Sequence, residues 1–394
     1  MLAICGAGNA GHALVVAAAR AGGLEVGWLT SSDDTAQQLR DSAAHGVRAT
    51  GAMSGPEGRV HVISADPAEI IPAADLVIIT LPAHAHRHIL DRIVPHLRRD
   101  AVLAFVAARA GLEFEVAKSV PGIAPYGGRR ILGLQTLPWL CRVRQPGRLV
   151  EVLGVKSRVL AATLPAGSAA DLASRMTALL GIPIVATPNF LNLTLGNPGQ
   201  VIHPGCMYAH FGSVSQPSYG ADEIPHFYEA LDEKSAELMD SLSSEAVGVA
   251  RSLEAASGGR LDLGGVLPIQ QWIRMSYAGL IADDTTLASC FRSNRAYQGI
   301  LAPMREHAPG RFHPDFGHRF LTEDVPFGLV VVRALADLVG TRTPRIDEVI
   351  RWAERQMGRQ YLEGGQLWGR DVPPLRIPQN YGIRSVEALI TAVA

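Results

Sequence analysis

The sequence predicts an α/β chain: an N-terminal doubly wound, Rossmann-type sheet followed by an all-α C-terminal domain. Three observations carry this. The apolar run Leu2-Ala3-Ile4-Cys5 ends in Gly6-Ala7-Gly8-Asn9-Ala10-Gly11 and passes straight into an Ala/Val-rich helical stretch. Strand-like runs then alternate with helical ones through the first half, as a doubly wound sheet requires. Past Thr187-Pro188-Asn189 the alternation stops and long helical stretches take over.

In order, the expected strands are Leu2 to Cys5, Leu24 to Leu29, His61 to Ser64, Leu76 to Thr80, Ala101 to Phe105 and Ile131 to Gln135. Leu76 to Thr80 has the continuous apolar character of a strand buried on both faces. Val150 to Val155 and Arg158 to Thr163 read as a late hairpin closing the domain, Pro165 to Leu180 as a helix and Ile182 to Ala186 as a last strand. Helices are expected over Pro225 to Leu253, Pro326 to Val339 and Ile346 to Arg359. The expected domains are therefore residues 1–187 and 188–394.

The glycine turn points to a ligand. Gly6 suits a tight turn, Gly8 lets backbone approach a pyrophosphate, Gly11 permits close helix packing, and Asn9 and Ala10 open a helix whose N–H groups attract anions. A dinucleotide is the reading, against a glycine turn in some other α/β sheet. An acidic residue at the end of the second strand would accept the ribose hydroxyls and repel a 2′-phosphate. Thr30, Ser31 and Ser32 stand there instead, with Asp33 and Asp34 later and Arg40 further on. NADP(H) is favoured and NAD(H) stays possible, because Ser31 and Ser32 can equally cap the next helix while an aspartate turns to the ribose. Pro82, after the fourth strand, is a further cofactor contact.

Composition excludes several classes. With 36 basic against 37 acidic residues, nothing marks a nucleic-acid or anionic-membrane partner. No apolar stretch is long enough to span a bilayer and the first residues lack a secretory pattern, so cytoplasmic residence is expected. Cys5, Cys141, Cys206 and Cys290 are far apart, suggesting neither zinc nor disulfides. His84, His86 and His88 are read as the start of a helix, with no metal expected. No heptad marks an oligomer; monomer and homodimer remain open.

Two segments of the second half place polar residues in apolar surroundings. In Asn197-Pro198-Gly199-Gln200-Val201-Ile202-His203-Pro204, the proline biases His203 toward a break in a helix. In Arg319-Phe320-Leu321-Thr322-Glu323-Asp324-Val325-Pro326, Asp324 reads as an N-cap, or as part of a polar pocket with Arg319 and Glu323. A carboxylate beside His203 would fix its tautomer and make it an acid–base group.

Taken with Leu81-Pro82-Ala83 and Leu134-Gln135-Thr136-Leu137-Pro138-Trp139 ahead of Cys141-Arg142, these segments make nearly the whole chain resemble the opine dehydrogenases of the octopine/nopaline type. The resemblance implies reductive condensation of an amino acid with a 2-oxo acid such as pyruvate, through an imine reduced by hydride from NAD(P)H. It implies that His203 and Asp324 are the catalytic pair and that Arg319 holds a substrate carboxylate; an imine that must meet hydride before it hydrolyses then favours a cleft that closes on substrate. Tyr208, His210, Gln270, Gln271, Trp272 and Arg274 are candidates for lining an amino-acid pocket, without selecting a substrate. The alternative is a 2-oxo acid or ketopantoate-type NADP-dependent reductase. Such enzymes rely on lysine, and Lys118, Lys156 and Lys234 stand apart from these motifs.

Overall fold

Strands whose every residue is apolar have no face to offer water, and they form the centre of the sheet in the computed structural model, which describes residues 1–122, 128–213 and 218–393. The chain divides into two compact units: Met1–Ala108 with Glu115–Leu193 and the chain end, and Arg109–Phe114 with Thr194–Ala392. The second unit thus takes a short segment from the first half, beside a main break six residues beyond the expected 187.

The strands of the first unit are β1 (Leu2–Cys5), β2 (Val26–Leu29), β3 (Arg48–Gly51), β4 (Val62–Ser64), β5 (Leu76–Ile79), β6 (Val102–Val106), β7 (Arg130–Leu134), β8 (Trp139–Gln145), β9 (Leu149–Val155), β10 (Val159–Leu164) and β11 (Ile184–Ala186). Its helices are α1 (Asn9–Ala21), α2 (Asp33–Ala43), α3 (His86–Ile93), α4 (Leu112–Ser119, which begins in the second unit) and α5 (Ala169–Leu180). The main sheet runs β11-β10-β7-β6-β5-β1-β2-β4. From β4 to β7 all pairings are parallel, whereas β10 runs antiparallel to β7. Counting only the parallel strands, the order is 3-2-1-4-5-6, the dinucleotide-binding arrangement, with its switch point between β1 and β5. The Gly6 turn follows the end of β1, and Leu81-Pro82 follows the end of β5. Both flank that crevice.

The expected hairpin is corrected. β9 pairs antiparallel with β8, across Pro146-Gly147-Arg148, and parallel with β3 in a separate three-stranded sheet, while β10 lies in the main sheet. Burial explains the split, since β9 alternates and β10 is buried along its whole length. A strand apolar on one face suits an outer sheet, and one apolar on both faces must be sandwiched.

The second unit contains α6 (Leu191–Gly196, begun in the first unit), α7 (Gly199–Phe211), α8 (Glu233–Ala256), α9 (Ile269–Ser276), α10 (Leu287–Ser293), α11 (Arg319–Thr322), α12 (Val330–Val339), α13 (Pro344–Met357) and α14 (Val386–Val393). It also carries a small antiparallel sheet of β12 (Tyr219–Gly220), β13 (Met304–Ala308) and β14 (Arg311–Pro314). Helix α8 starts eight residues later than expected. Asp232 caps it by accepting from the Ser235 N–H at 2.8 Å, and Phe227 and Tyr228 join an aromatic cluster with Phe320, Phe291 and Tyr297. At Gly205 an added Cβ would sit 2.7 Å from Met239, so this glycine lets α7 pack close on α8. Among the described residues no helix is long and apolar enough to cross a membrane.

Glu113 is wholly buried beside the Thr194 hydroxyl, which donates to its carboxylate at 2.7 and 2.9 Å. Burial raises its pKa from 4.5 to about 7, against the opposing pull of that hydrogen bond and of Arg376. Between these values the unfolded chain has lost a proton that the folded chain keeps, so stability falls as pH rises from about 4.5 through 7 and levels above it. The loss is about 3 kcal/mol. Glu113→Gln should remove it: thermal unfolding from pH 5 to 8 should show wild type losing ground to the variant as pH rises. A constant difference would show that Glu113 does not titrate in this window.

Candidate active site

The turn after β1 is tight at Gly6 and Gly11 and open at Gly8. Gly6 has φ +121°, and a Cβ there would meet Thr80 Oγ1 at 2.7 Å. A Cβ on Gly11 would lie 2.1 Å from the Gly6 carbonyl oxygen, which already accepts from Trp28 Nε1 at 2.9 Å. At Gly8 a Cβ would meet nothing within 4 Å. His12, buried against Trp28, fastens the turn: its Nε2 accepts from Gly147 N–H at 2.8 Å, so Nδ1 carries the proton given to the Gly8 carbonyl at 2.9 Å. Asn9 accepts from Val143 N–H at 2.8 Å, and Ala10 is buried within the first turn of α1. Pro82 caps a short helical turn, Ala83–Ala85.

At the end of β2, Thr30 is buried and its hydroxyl donates to the Ser32 carbonyl. Ser32 caps α2 by accepting from Thr35 N–H, and Ser31 is exposed. Arg40 lies about two turns along α2, and its side chain reaches β4, the neighbour of β2. Its guanidinium donates to the Ile63 carbonyl at 2.8 Å and to Gln37.

In the second unit the structure joins two of the singled-out segments. His203 Nδ1 donates to Asp324 Oδ2 at 2.8 Å across 121 positions of sequence. The imidazole stacks on Phe320 at 4.0 Å and keeps 21% of its side-chain surface exposed, while Asp324 keeps 1%. The expected helix break at His203 does not occur. Helix α7 runs on from Gly199 to Phe211 with Pro204 inside it, at the loss of the one bond its missing N–H would give the Gln200 carbonyl. Asp324 makes no capping bond. It lies between α11 and a wide π-type turn, Val325–Leu329, in which Phe327 leaves helical geometry, and α12 begins only at Val330.

One residue of this cluster escaped the sequence reading. Arg109, at the start of the segment the second unit takes from the first half, donates through Nη1 to Asp324 Oδ1 at 2.5 Å. Its Nε lies 3.3 Å from Glu323 Oε1. Burial pushes the pKa of Asp324 up, but Arg109 and then His203 pull harder, and the net shift is downward, so the carboxylate is ionised. Glu323 also holds Arg319, which donates through Nε at 2.8 Å and leaves its guanidinium half-exposed. The signal for Arg109 was a lone charge in the run Val106-Ala107-Ala108-Arg109-Ala110-Gly111, since a charge in apolar surroundings needs a partner.

Other candidates are engaged elsewhere. Tyr208 donates to Glu348 at 2.7 Å, His210 bonds the Phe227 carbonyl at 2.9 Å, Gln270 reaches the Asp284 carbonyl, Arg274 pairs with Asp284, and Trp272 is buried. His86 is buried, with Nε2 2.9 Å from the Leu81 carbonyl. Among the described residues no three His, Cys, Asp or Glu side chains group to hold a metal.

Residues 186–357 match the family model described as NAD/NADP octopine/nopaline dehydrogenase, alpha-helical domain. Residues 1–108 match the model described as NADP oxidoreductase coenzyme F420-dependent. The octopine dehydrogenase of Pecten maximus is 34% identical over 398 residues, covering 98% of each chain. The chain belongs to the octopine/nopaline dehydrogenase family. Solved structures of octopine dehydrogenase with NADH and L-arginine (TM-score 0.86, 32% identity) and with NADH and pyruvate (0.84, 31%) each align over 99% of this chain and 97% of their own. The enzyme is thus an NAD(P)-dependent opine dehydrogenase, a Rossmann-type unit joined to a largely helical one, and it acts on small molecules.

Proposed function

We propose that His203 and Asp324 are the acid–base pair of a reductive condensation between an amino acid and pyruvate or a similar 2-oxo acid, with Arg319 holding the oxo-acid carboxylate. The observation that carries this reading is the 2.8 Å bond between His203 and a buried, ionised Asp324. With Nδ1–H given to Asp324, the ring presents Nε2 as its working atom. As the amine adds to the oxo carbon, Nε2 takes a proton from the nitrogen and gives it to the oxygen, and a second such transfer lets the oxygen leave as water, so both hydrogens of the water come from the amine and the ring ends as it began. Asp324 holds the ring in place and balances its charge through the cycle. Arg319 suits a planar carboxylate because its fork can give two parallel hydrogen bonds, and Glu323 keeps the guanidinium oriented until substrate arrives.

The turn around Gly6, Gly8, Asn9, Ala10 and Gly11, with Pro82 across the switch point, fits a dinucleotide: the open face at Gly8 adjoins the α1 N-terminus, where backbone N–H groups meet a pyrophosphate. When bound, the reduced nicotinamide supplies hydride to the imine carbon. Thr30, Ser31 and Ser32 leave no carboxylate at the strand end, so NADPH is favoured and NADH remains a substrate, with hydroxyl and backbone donors available to the 2′-phosphate and Arg40 adding positive charge nearby.

The test is oxidation of NADH and NADPH by the purified protein, scanning amino acids against pyruvate, glyoxylate and 2-oxoglutarate. Turnover should require both an amino acid and an oxo acid. In Arg319→Ala, KM for the oxo acid should rise by about a hundredfold while KM for the amino acid moves little, matching loss of a charged, bidentate contact. Turnover of an oxo acid without amine would instead favour the reductase reading.

A further inference from the structure

Arg109 sits in a slot built for it. Gly111, at φ +75°, turns the chain where a Cβ would strike the Arg376 carbonyl at 2.2 Å, and Ala110 N–H is tied to the Phe327 carbonyl at 3.1 Å. On the opposite wall, a Cβ on Gly199 would lie 2.8 Å from Arg109 Nη1 and 3.0 Å from Asp324 Oδ1. The absent side chain at Gly199, at the start of the helix that carries His203, leaves the space that the guanidinium and carboxylate fill. Asn197 Oδ1 lies 3.4 Å from Nη1 on the same side.

We propose that Arg109 is the positioning residue of the His203–Asp324 pair, engaging one carboxylate oxygen of Asp324 so that only the other serves the imidazole, and supplying the cation that balances the cluster. This rests on the assignment of His203 and Asp324 as the working pair. The charged groups facing the imidazole and its carboxylate are Arg109 from the segment before α4, and Arg319, Glu323 and Asp324 from α11 and its end, with His318 against Phe320. The two arginines and two carboxylates cancel. The proton gained and lost by the pair is then the only net change of charge in the cluster. Without Arg109 the imidazole would face one uncompensated negative charge and hold its proton more tightly, and Asp324 would be free to rotate.

The test compares pH profiles of kcat/KM for NADH oxidation in wild type, Arg109→Gln, Arg109→Lys and His203→Ala, with NADH affinity followed by fluorescence. In Arg109→Gln the midpoint should move up by about one pH unit, and in Arg109→Lys it should stay within about a third of a unit, since lysine restores the charge. A glutamine variant with lowered activity and an unmoved midpoint would overturn the proposal, leaving Arg109 a purely structural residue. Should the glutamine variant not fold, the lysine variant decides. An ammonium cannot span Asp324 and Glu323 as the fork does, so kcat should fall at least about tenfold at an unmoved midpoint, and wild-type kcat there would overturn the idea. Full activity in His203→Ala would instead sink the assignment of the pair itself, whatever Arg109 does.

Discussion

Replacing His203 by alanine should lower kcat/KM by about a hundred- to ten-thousandfold, the range expected when a positioned acid–base group is lost, while NADH affinity stays unchanged. The imidazole belongs to the second unit and the glycine turn to the first, so the substitution leaves the dinucleotide site intact. Asp324→Asn should cost a comparable factor by another route. An amide at 324 keeps the shape but loses the charge, so it can no longer balance an imidazolium, and its nitrogen could face Nδ1 and demand the wrong tautomer. The two effects should not add, because a histidine without its orienting partner is already impaired. Steady-state kinetics of the two single variants and the double variant make the measurement. Multiplying penalties would mean that the residues act separately, and the 2.8 Å bond between them would then be structural.

What could be read from the sequence follows what each residue has to do alone. β1, β5 and β6 are apolar at every position and buried on both faces, so composition alone marks them as central strands. β3, Arg-Ala-Thr-Gly, is largely exposed and has no apolar alternation; it is a strand because β9 offers it hydrogen bonds, a fact of tertiary structure. β8 was hidden in the same way behind its polar end, and with it the true partner of β9. The Pro146-Gly147 turn was the overlooked local signal.

The site divides along the same line. His203 and Asp324 could each be singled out, because each interrupts an apolar stretch. Their meeting could not, since it depends on α7 and α11 packing together. Asp324 shows how a local rule yields to a tertiary one: a residue spaced like an N-cap spends both carboxylate oxygens on Arg109 and His203 and none on backbone. Arg109 carries no motif at all. Its meaning comes from partners 214 and 215 positions away, and only its isolation among alanines marked it.

The glycine turn makes the sharpest separation between folding and binding. Gly8→Ala should leave stability within about 0.5 kcal/mol of wild type, because Gly8 has extended geometry (φ −87°, ψ −164°) that any residue adopts and a Cβ there meets nothing within 4 Å. If the glycine turn binds the dinucleotide as proposed, the same Cβ projects into the space of the pyrophosphate at the α1 N-terminus, and NADH affinity should fall by about a hundredfold or more, some 3 kcal/mol. Gly11→Ala should behave differently. Its Cβ would lie 2.1 Å from the Gly6 carbonyl oxygen, a backbone atom that cannot swing aside. Helix α1 must then move off β1, straining the Trp28 Nε1 bond to that carbonyl and the His12 contacts behind it, at a cost of about 1–3 kcal/mol. Thermal unfolding without cofactor, paired with NADH titration by fluorescence, reads both variants. A Gly8→Ala protein that binds NADH as tightly as wild type would remove the glycine turn from the dinucleotide site. If it loses both binding and stability, the turn is already packed in the free protein and Gly8 is a folding residue. Loss of binding at unchanged stability, against lost stability in Gly11→Ala, would assign Gly8 to the ligand and Gly11 to the fold.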